Sequence, residues 1–428
     1  MNKRRIFFLV VLCVLLIFTG GCWDQDEVET LAIVRGMAID YLPGRRAPYL
    51  VTLAVERPAA TGGESGSGEG EPTVLYSGVG ASIDLAIQQA SFSLSRRIFL
   101  SHNELLVIGE EAAKEGLSPI MDFVIRNPQV RLNAFVLIAP GIAQEVLAVT
   151  ERLEGTISSE LLGMIQQANE SSETDPQEVY HVLRQMATPG QDAHTVAVMV
   201  GPLLEDELKE LNPEKKGGGE GGQSGGGGES SGGSGGGESG GGQEEPEQIL
   251  SMDGMAVFRG DKLAGIINHI EARGVLWLTG GTIRGVITVH DPVRPGHHVN
   301  LLISRSETKV TPVIKDGRIS FHVEVEAEGD IASQTSFVDL STPEMIVKLN
   351  SAKAGAIKVE MEKALSILQE LETDVVGFGK ILNQKDPETF RKVADRWPEV
   401  FSKLDVEIHV EANIRRTGQH SHPTRVNR

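Results

Sequence analysis

One thiol in this 428-residue sequence stands where it could be acylated. Cys22 follows Gly20 and Gly21, and these small residues end an apolar run that begins at Ile6 behind a short basic cluster. A basic cluster, an apolar run and small residues are the three parts of an export signal. The run is shorter than the roughly 20 residues that a stable membrane-spanning helix needs. The pattern predicts a cleaved signal peptide over residues 1–21 and lipid attachment at Cys22.

Two alternatives remain at this position: an ordinary signal peptide and an uncleaved anchor, each with an incidental thiol. Thr19 stands three positions before Cys22, where the bacterial lipobox usually has leucine. A diacylated cysteine, usually with a third chain, binds more strongly than a single acyl chain, whose attachment is marginal. Lipidation therefore predicts a mature protein that stays on the membrane. The other cysteine, Cys13, lies inside the signal, so no cysteine is left for a disulfide or a thiolate metal site.

A second group of reactive side chains falls within ten residues. Ser93, Ser95, Arg96, Arg97 and His102 bring together two hydroxyls, two cations and a base. No G-x-S-x-G nucleophile elbow surrounds either serine. Helix capping and packing explain these residues better than catalysis, and a cell-envelope hydrolase that uses this segment is kept as an alternative.

Four polar residues near position 290 could be considered as metal ligands: His290, Asp291, His297 and His298. Prolines interrupt this segment, and it lacks ligands at helical spacing. We expect a solvated loop between domains, and neither a metal site nor another cofactor.

Carboxylates at alternating positions are the remaining chemical candidates. Glu324, Glu326 and Glu328 alternate with apolar residues, and a period of two places them on the wet face of a half-buried strand. They are therefore not predicted to be a catalytic acid and base, and no catalytic residue is predicted anywhere in the chain.

The charge balance restricts the possible partners. The formal net charge is −19, from 40 basic and 59 acidic residues. Such a surface repels nucleic acid and anionic lipid head groups. We therefore expect no nucleic-acid partner, and we expect the lipid to hold the protein on a membrane.

The elements that position these residues interleave strands and helices after an early run of strands, which indicates an α+β fold. Thr61 to Pro72 and Gly217 to Gln243 are rich in glycine and serine, cannot bury enough surface to fold, and are predicted to be mobile loops. Strand patterns flank the longer one, so it is interpreted as a long connection inside one domain. We predict three successive mixed α/β-sheet domains after the signal peptide: residues 22–150, 151–290 and 291–415, the last with a long helix, followed by a disordered tail at 416–428.

Three blocks of this sequence resemble the Ger(x)C lipoproteins, the C subunits of spore germinant receptors in endospore-forming bacteria. The first is the opening GCWDQDEVETLAIVRGMAIDY, with C-W-D at the lipid site, an acidic stretch and then a strand. The second is GASIDLAIQQASFSLSRRIFLSHNELLVIGEEAAKEG, and the third is MDGMAVFRGDKLAGIINHIEARGVLWLTG. The matching residues of the last two blocks are Ser95-Arg96, Phe99, His102, Gly109, Gly254, Phe258, Gly265 and a predicted turn at Glu271-Ala272-Arg273-Gly274.

The resemblance implies a lipoprotein of three α+β domains on the outer face of the spore inner membrane, assembled with an integral membrane A subunit and a transporter-like B subunit. It implies no catalysis. We therefore expect a non-enzymatic receptor subunit with its lipid on Cys22 and a partner surface that includes Arg97, His102 and Arg273. A solute-binding lipoprotein that delivers nutrient to a transporter is a further alternative.

Overall fold

A computed structural model describes residues 27–57, 73–150, 153–202, 248–281 and 284–416, together with Arg4, Arg5 and Phe7. Cys22, both glycine-rich loops, the tail with His420 and His422 and nearly all of the signal peptide lie outside the described residues. Of the helices in the described ranges, none combines the length and the apolar character that a bilayer span requires.

The described residues form two sheets, and the larger contains ten strands. They are β1 (Leu31–Tyr41), β2 (Tyr49–Glu56), β3 (Thr73–Gly80), β4 (Arg97–Phe99), β5 (Leu105–Gly109), β6 (Phe135–Ala139), β7 (Gln177–Glu178), β8 (His194–Pro202), β9 (Gln248–Arg259) and β10 (Lys262–Ile267). The strand order is β10-β9-β8-β6-β5-β1-β2-β3, with β4 beside β1 and β7 beside β6. The central pairs are parallel, and antiparallel hairpins form both edges.

Helices cover both faces of this sheet. One face carries α1 (Ile83–Ser91), α2 (Glu110–Glu115), α3 (Ser118–Arg126) and α6 (Val179–Met186), and the other carries α4 (Ala143–Ala148) and α5 (Ile157–Ser171). The central strand β5 has the sequence LLVIG because it is buried on both sides. Leu106 and Ile108 belong to the first core, and Leu105 and Val107 belong to the second.

The smaller sheet and the remaining helices form the C-terminal part. Its strands are β11 (Gly285–His290), β12 (His298–Lys315), β13 (Arg318–Gln334) and β14 (Asp405–Arg416), in the order β11-β12-β13-β14. The helices are α7 (His269–Thr279), α8 (Pro343–Glu370), α9 (Phe378–Lys385), α10 (Pro387–Val393) and α11 (Trp397–Phe401). Met255, Val257 and Ile267 of the larger sheet belong to the C-terminal core, so the two sheets share buried surface.

The predicted class of mixed helices and sheets is confirmed. The three-domain division stays a prediction, and the larger sheet continues across the predicted boundary at residue 150. The predicted long helix is α8, which Thr342 caps and in which Glu344 pairs with Lys348. β12 continues through Glu307 as one strand of 18 residues, because no turn residue interrupts the pairing with β13.

The longer glycine-rich loop connects two neighbouring strands. Strands β8 and β9 are antiparallel, and Pro202 lies opposite Gln248 at their ends. The ends of the intervening segment are therefore already held together by the ladder.

We predict that deleting 217–243, which removes 27 of the 45 residues between Pro202 and Gln248, leaves the fold intact. The smaller loop should reduce the closure cost by about 0.8 kcal/mol, and the melting temperature should change by less than about 3 °C. Gly254→Ala is the destabilising control, because Gly254 has a φ of +83° and an added Cβ would lie 2.1 Å from the Ile267 carbonyl oxygen. A large fall in melting temperature on deletion would contradict this account.

Candidate partner-binding groove

Two of the three predicted surface residues lie on one exposed segment. Arg97 is in β4, which pairs in parallel with the beginning of β1, so that Arg97 lies beside Leu31. His102 lies in the turn that follows, and its ring centroid is 5.5 Å from that of Phe99. Both Arg97 and His102 are exposed. Strand pairing therefore fixes this segment against the first described strand of the chain.

A groove of about 610 Å³ adjoins this segment, between α1 and α3. It continues into a second hollow of about 630 Å³ toward Arg96 and Arg97. The two hollows share Asp84, Ile87 and Ile98, and we treat them as one feature, the α1–α3 groove. Its other lining residues include Tyr49, Leu85, Leu100, Asp122, Phe123 and Arg126.

Local sequence explains the first wall of the groove. The Ser82 hydroxyl accepts a hydrogen bond from the Leu85 amide and begins α1, a favourable use of serine at a helix N-cap. Ile83, Ala86 and Ala90 form the buried stripe. Gly78 of β3 lets the helix lie directly on the strand, because an added Cβ would be 2.2 Å from the Ala86 carbonyl oxygen.

The second wall, α3, was not predicted as part of any site. Phe123 and Val124 pack into the core, whereas Ile125 is 60% exposed. An exposed isoleucine on a short helix was the signal available in the sequence, but isolated exposed apolar residues are common. Only the tertiary structure shows that α3 lies opposite α1.

The groove has apolar lining and charged ends. Asp122 and Arg126 form an exposed ion pair at 2.8 Å on one wall, which contributes little stability at such exposure. Asp84 is exposed between the two hollows, and Arg96 and Arg97 lie at one end. Ser93 and Ser95 make no hydrogen bond to His102 among the described residues, so the arrangement lacks the contact that a nucleophile and its base require.

Arg273 lies elsewhere, in the interior. Glu271-Ala272-Arg273-Gly274 lies within the first two turns of α7 and is not a loop turn, and Asn268 and Glu271 form the capping box of that helix. The Arg273 side chain is 12% exposed, and its Nε donates to Glu360 of α8 at 3.0 Å. An added Cβ at Gly274 would lie 2.2 Å from the Glu360 carbonyl oxygen. Arg273 therefore joins two closely crossing helices and does not share the accessible surface of Arg97 and His102.

The segment around position 290 was predicted to be a solvated loop between domains, and the structure places it differently. It connects β11 to β12 within one sheet, so it is not a loop between domains. Asp291 is 4% exposed and accepts hydrogen bonds from the Ser336 hydroxyl and the Val293 and Arg294 amides. Burial raises the pKa of Asp291, but these donors lower it further, so its pKa lies below the ordinary value. No group of three possible metal ligands occurs within the described ranges.

Two family models match this chain. "Spore germination protein N-terminal domain" matches residues 24–199, and "Spore germination B3/ GerAC like, C-terminal" matches residues 253–418. The chain is 26% identical over 427 residues to spore germination protein KC of Bacillus subtilis (strain 168), covering 98% of each chain. It is 24% identical over 412 residues to the putative spore germination protein YfkR of the same strain, covering 95% of each.

A solved structure also resembles this chain. The crystal structure of the GerBC protein matches with a TM-score of 0.51 and 20% sequence identity, covering 91% of this chain and 99% of that chain. The likeness shows a shared fold that extends over both sheets.

We predict that the Arg273–Glu360 pair stabilises the fold. Arg273→Met should cost roughly 3 kcal/mol or more, because it leaves the Glu360 carboxylate buried without its cation. Combining it with Glu360→Gln should cost less than the sum of the two single changes, since neither charge then remains unpaired. Urea unfolding of the two single variants and the double variant measures this coupling. Additive effects, or a neutral Arg273→Met, would contradict a coupled pair.

Proposed function

Because this chain belongs to the Ger(x)C family of spore germination proteins, we propose that it is a non-enzymatic subunit of a nutrient germinant receptor. In this proposal a lipid on Cys22 tethers it to the outer face of the spore inner membrane. It assembles there with the integral membrane A and B subunits. The observation that carries the proposal is the match of two spore germination family models to residues 24–199 and 253–418. The pairing of Arg97 with Leu31 adds that the exposed Arg97 segment would lie close to such a tether.

The length of the tether supports this geometry. Nine peptide units separate Cys22 from Leu31, and an extended chain spans at most about 3.4 Å per residue. The beginning of β1 therefore lies within about 30 Å of a lipid on Cys22. The N-terminal family match begins at residue 24, directly behind this cysteine.

The exposed segment supports a docking role. Arg96 and Arg97 are adjacent exposed cations, with the exposed His102 nearby, on a chain with a net charge of −19. Such charges increase the specificity for a partner of opposite charge and the rate of association with it. We assign the docking surface to Arg97 and His102 and leave Arg273 out of it.

The two alternatives find less support. A hydrolase needs a serine in contact with its base, and the described Ser93 to His102 segment has no such contact. A solute-binding lipoprotein needs a hinged cleft between two similar lobes. The described chain has instead one ten-stranded and one four-stranded sheet, which are not similar.

The tether predicts the behaviour of Cys22→Ala. The variant should be released from membranes or accumulate as an uncleaved precursor, because the lipid that holds the mature chain can no longer be attached. Fractionation and intact-mass spectrometry measure both outcomes. Cys13→Ala is the matched control and should remain lipidated and membrane-bound. An unmodified Cys22 in mature, membrane-bound wild-type protein would exclude the lipid tether.

The docking surface predicts the behaviour of Arg97→Glu and His102→Glu. Both positions are exposed, so each change should alter the free energy of unfolding by less than about 0.5 kcal/mol. Nutrient-triggered germination should nevertheless slow or stop, because the reversed charge at position 97 and the added negative charge at position 102 each weaken a complementary contact. Arg318→Glu, exposed on the β12–β13 turn, is the charge-matched control and should germinate normally.

Unchanged germination of both variants would place the docking surface elsewhere. Loss of the whole gene without loss of any nutrient response, together with cleavage of an envelope substrate by the purified protein, would favour the hydrolase.

A further inference from the structure

We propose that the free edge of β14 pairs with the same edge of a second copy of this chain, antiparallel and with Val410 opposite Val410 of the second copy. The pairing joins two four-stranded sheets into one continuous sheet across a twofold axis. The inference goes beyond the proposed function and does not depend on it, because it concerns the C-terminal part of the chain and a partner identical to the chain itself.

The free edge of β14 is long and open. β14 has 12 residues, whereas the other edge strands β3, β10 and β11 have eight, six and six. It pairs with β13 on one side, and no described strand lies on its other side. On that side the Ile414 amide donates to the Asn350 side chain of α8 at 2.9 Å. Because the backbone groups of a strand point alternately to its two sides, those of residues 406, 408, 410 and 412 point the same way as those of Ile414 and form a template for another strand.

Other edges of the two sheets carry features that block an added strand. On β3 the Val79 amide donates to the Gln89 side chain of α1. The part of β12 that extends beyond β11 contains Pro312, which has no amide to donate to a ladder. β14 contains neither proline nor glycine. Its edge is therefore the one in the described chain that is best suited to pairing.

The charges along β14 complement one another when the strand meets its own copy. The odd-numbered residues from Asp405 to Glu411 are exposed on the outer face of the sheet, and Arg415 reaches the same face, where it contacts Glu328 of β13. With Val410 opposite itself, three kinds of facing pair form, each of them twice: Asp405 with Arg415, Glu407 with Asn413 and His409 with Glu411. Facing pairs of opposite charge stabilise a sheet, and facing like charges destabilise it.

Other registers of the same pairing bring like charges together. A slide of two residues places Glu411 opposite Glu411 or opposite Glu407, depending on its direction. A slide of four residues places Glu411 opposite Asp405 or His409 opposite Arg415. Two chains with a net charge of −19 repel each other at long range, so a second copy is favoured only where the local charges match. The order of charges along β14 is self-complementary, which is what a second copy requires and an unrelated partner does not.

The helix-facing side of β14 also favours this register. Val406, Val410 and Ile414 are only partly buried, at the margin of the C-terminal core. In the proposed pairing Val406 lies opposite Ile414, and the two copies of Val410 meet at the twofold axis. Covering these apolar side chains removes their remaining surface from water.

Thiol crosslinking of the full-length protein in its native cells tests the pairing. Val410→Cys should give a disulfide-linked homodimer on mild oxidation, because facing Cα atoms of antiparallel strands lie about 4.5–5.5 Å apart, within the range of a disulfide. Val406→Cys is the matched control, since its two copies would lie about 26 Å apart at 3.3 Å per residue and should not link. Adding Ile414→Cys to Val406→Cys should restore the link, because these two positions face each other.

The identity of the crosslinked product decides the proposal. Intact-mass spectrometry should show two copies of this chain. Both single variants keep the native Cys13 and Cys22, so equal dimer yields from Val410→Cys and Val406→Cys would indicate a different contact and overturn the register. A link from position 410 to another protein, or no link at all, would overturn the pairing itself.

Charge variants in the Val410→Cys background supply a second readout. Asp405→Arg should lower the linked fraction roughly tenfold, because it places like charges opposite each other at both ends of the paired segment. Combining Asp405→Arg with Arg415→Asp should restore linking. Asp395→Arg, the same change at an exposed position outside β14, is the control and should link normally. The melting temperature of each variant should be preserved at these exposed positions, and equal linking in Asp405→Arg and Asp395→Arg would overturn the proposal.

Discussion

The buried carboxylate of Asp374 is the contact on which the arrangement of the two sheets depends. Asp374 is 1% exposed and lies between α8 and α9. Its donors are the amides of Gly377, Phe378 and Gly379 and the indole N–H of Trp397. Burial outweighs these four donors and raises the pKa of Asp374 to about 6. The Asp374 amide in turn donates to Asp192, which also accepts from the Gly260 amide of the β9–β10 turn. One pair of aspartates thus joins the larger sheet to the C-terminal helices.

Close backbone contacts surround this aspartate junction. The Lys380 amide donates to the Gly190 carbonyl, and an added Cβ at Gly190 would lie 2.5 Å from the Gly379 backbone. Lys353 of α8 is a second buried charge, and its side chain packs against the smaller sheet. It faces Gly329 of β13, where an added Cβ would collide with the Nζ atom of Lys353. Burial lowers the pKa of Lys353 to about 8. The charge of Lys353 therefore costs stability at neutral pH, and so does the charge of Asp374, whose pKa is raised by burial; the aspartate junction fixes geometry in spite of that cost.

Local patterns in the sequence predicted the elements better than their arrangement. The alternation around Glu324 and the long helix of the C-terminal part each depend on residues close in sequence, and the structure has both. Arg273 and Glu360 are 87 residues apart, and nothing in either segment indicates the other. Asp374 lies in the unremarkable sequence TDVVGFG, which could equally well be a surface turn. Neither the helix α3 (Ser118–Arg126) nor its position opposite α1 was predicted, because that position depends on strand order, which periodicity does not encode.

The tether and the groove would make different contributions to partner binding. A lipid on Cys22 would confine the Arg97 segment to a layer about 30 Å deep, which raises the effective concentration of a membrane-bound partner to the millimolar range that short linkers give. The walls of the groove are two helices of nine residues each, so the groove offers a contact only about 13 Å long. It could not hold a soluble partner tightly by itself. Beside a tether, a millimolar intrinsic affinity would be sufficient for occupancy, and the groove would then supply orientation and choice of partner while the lipid supplies attachment.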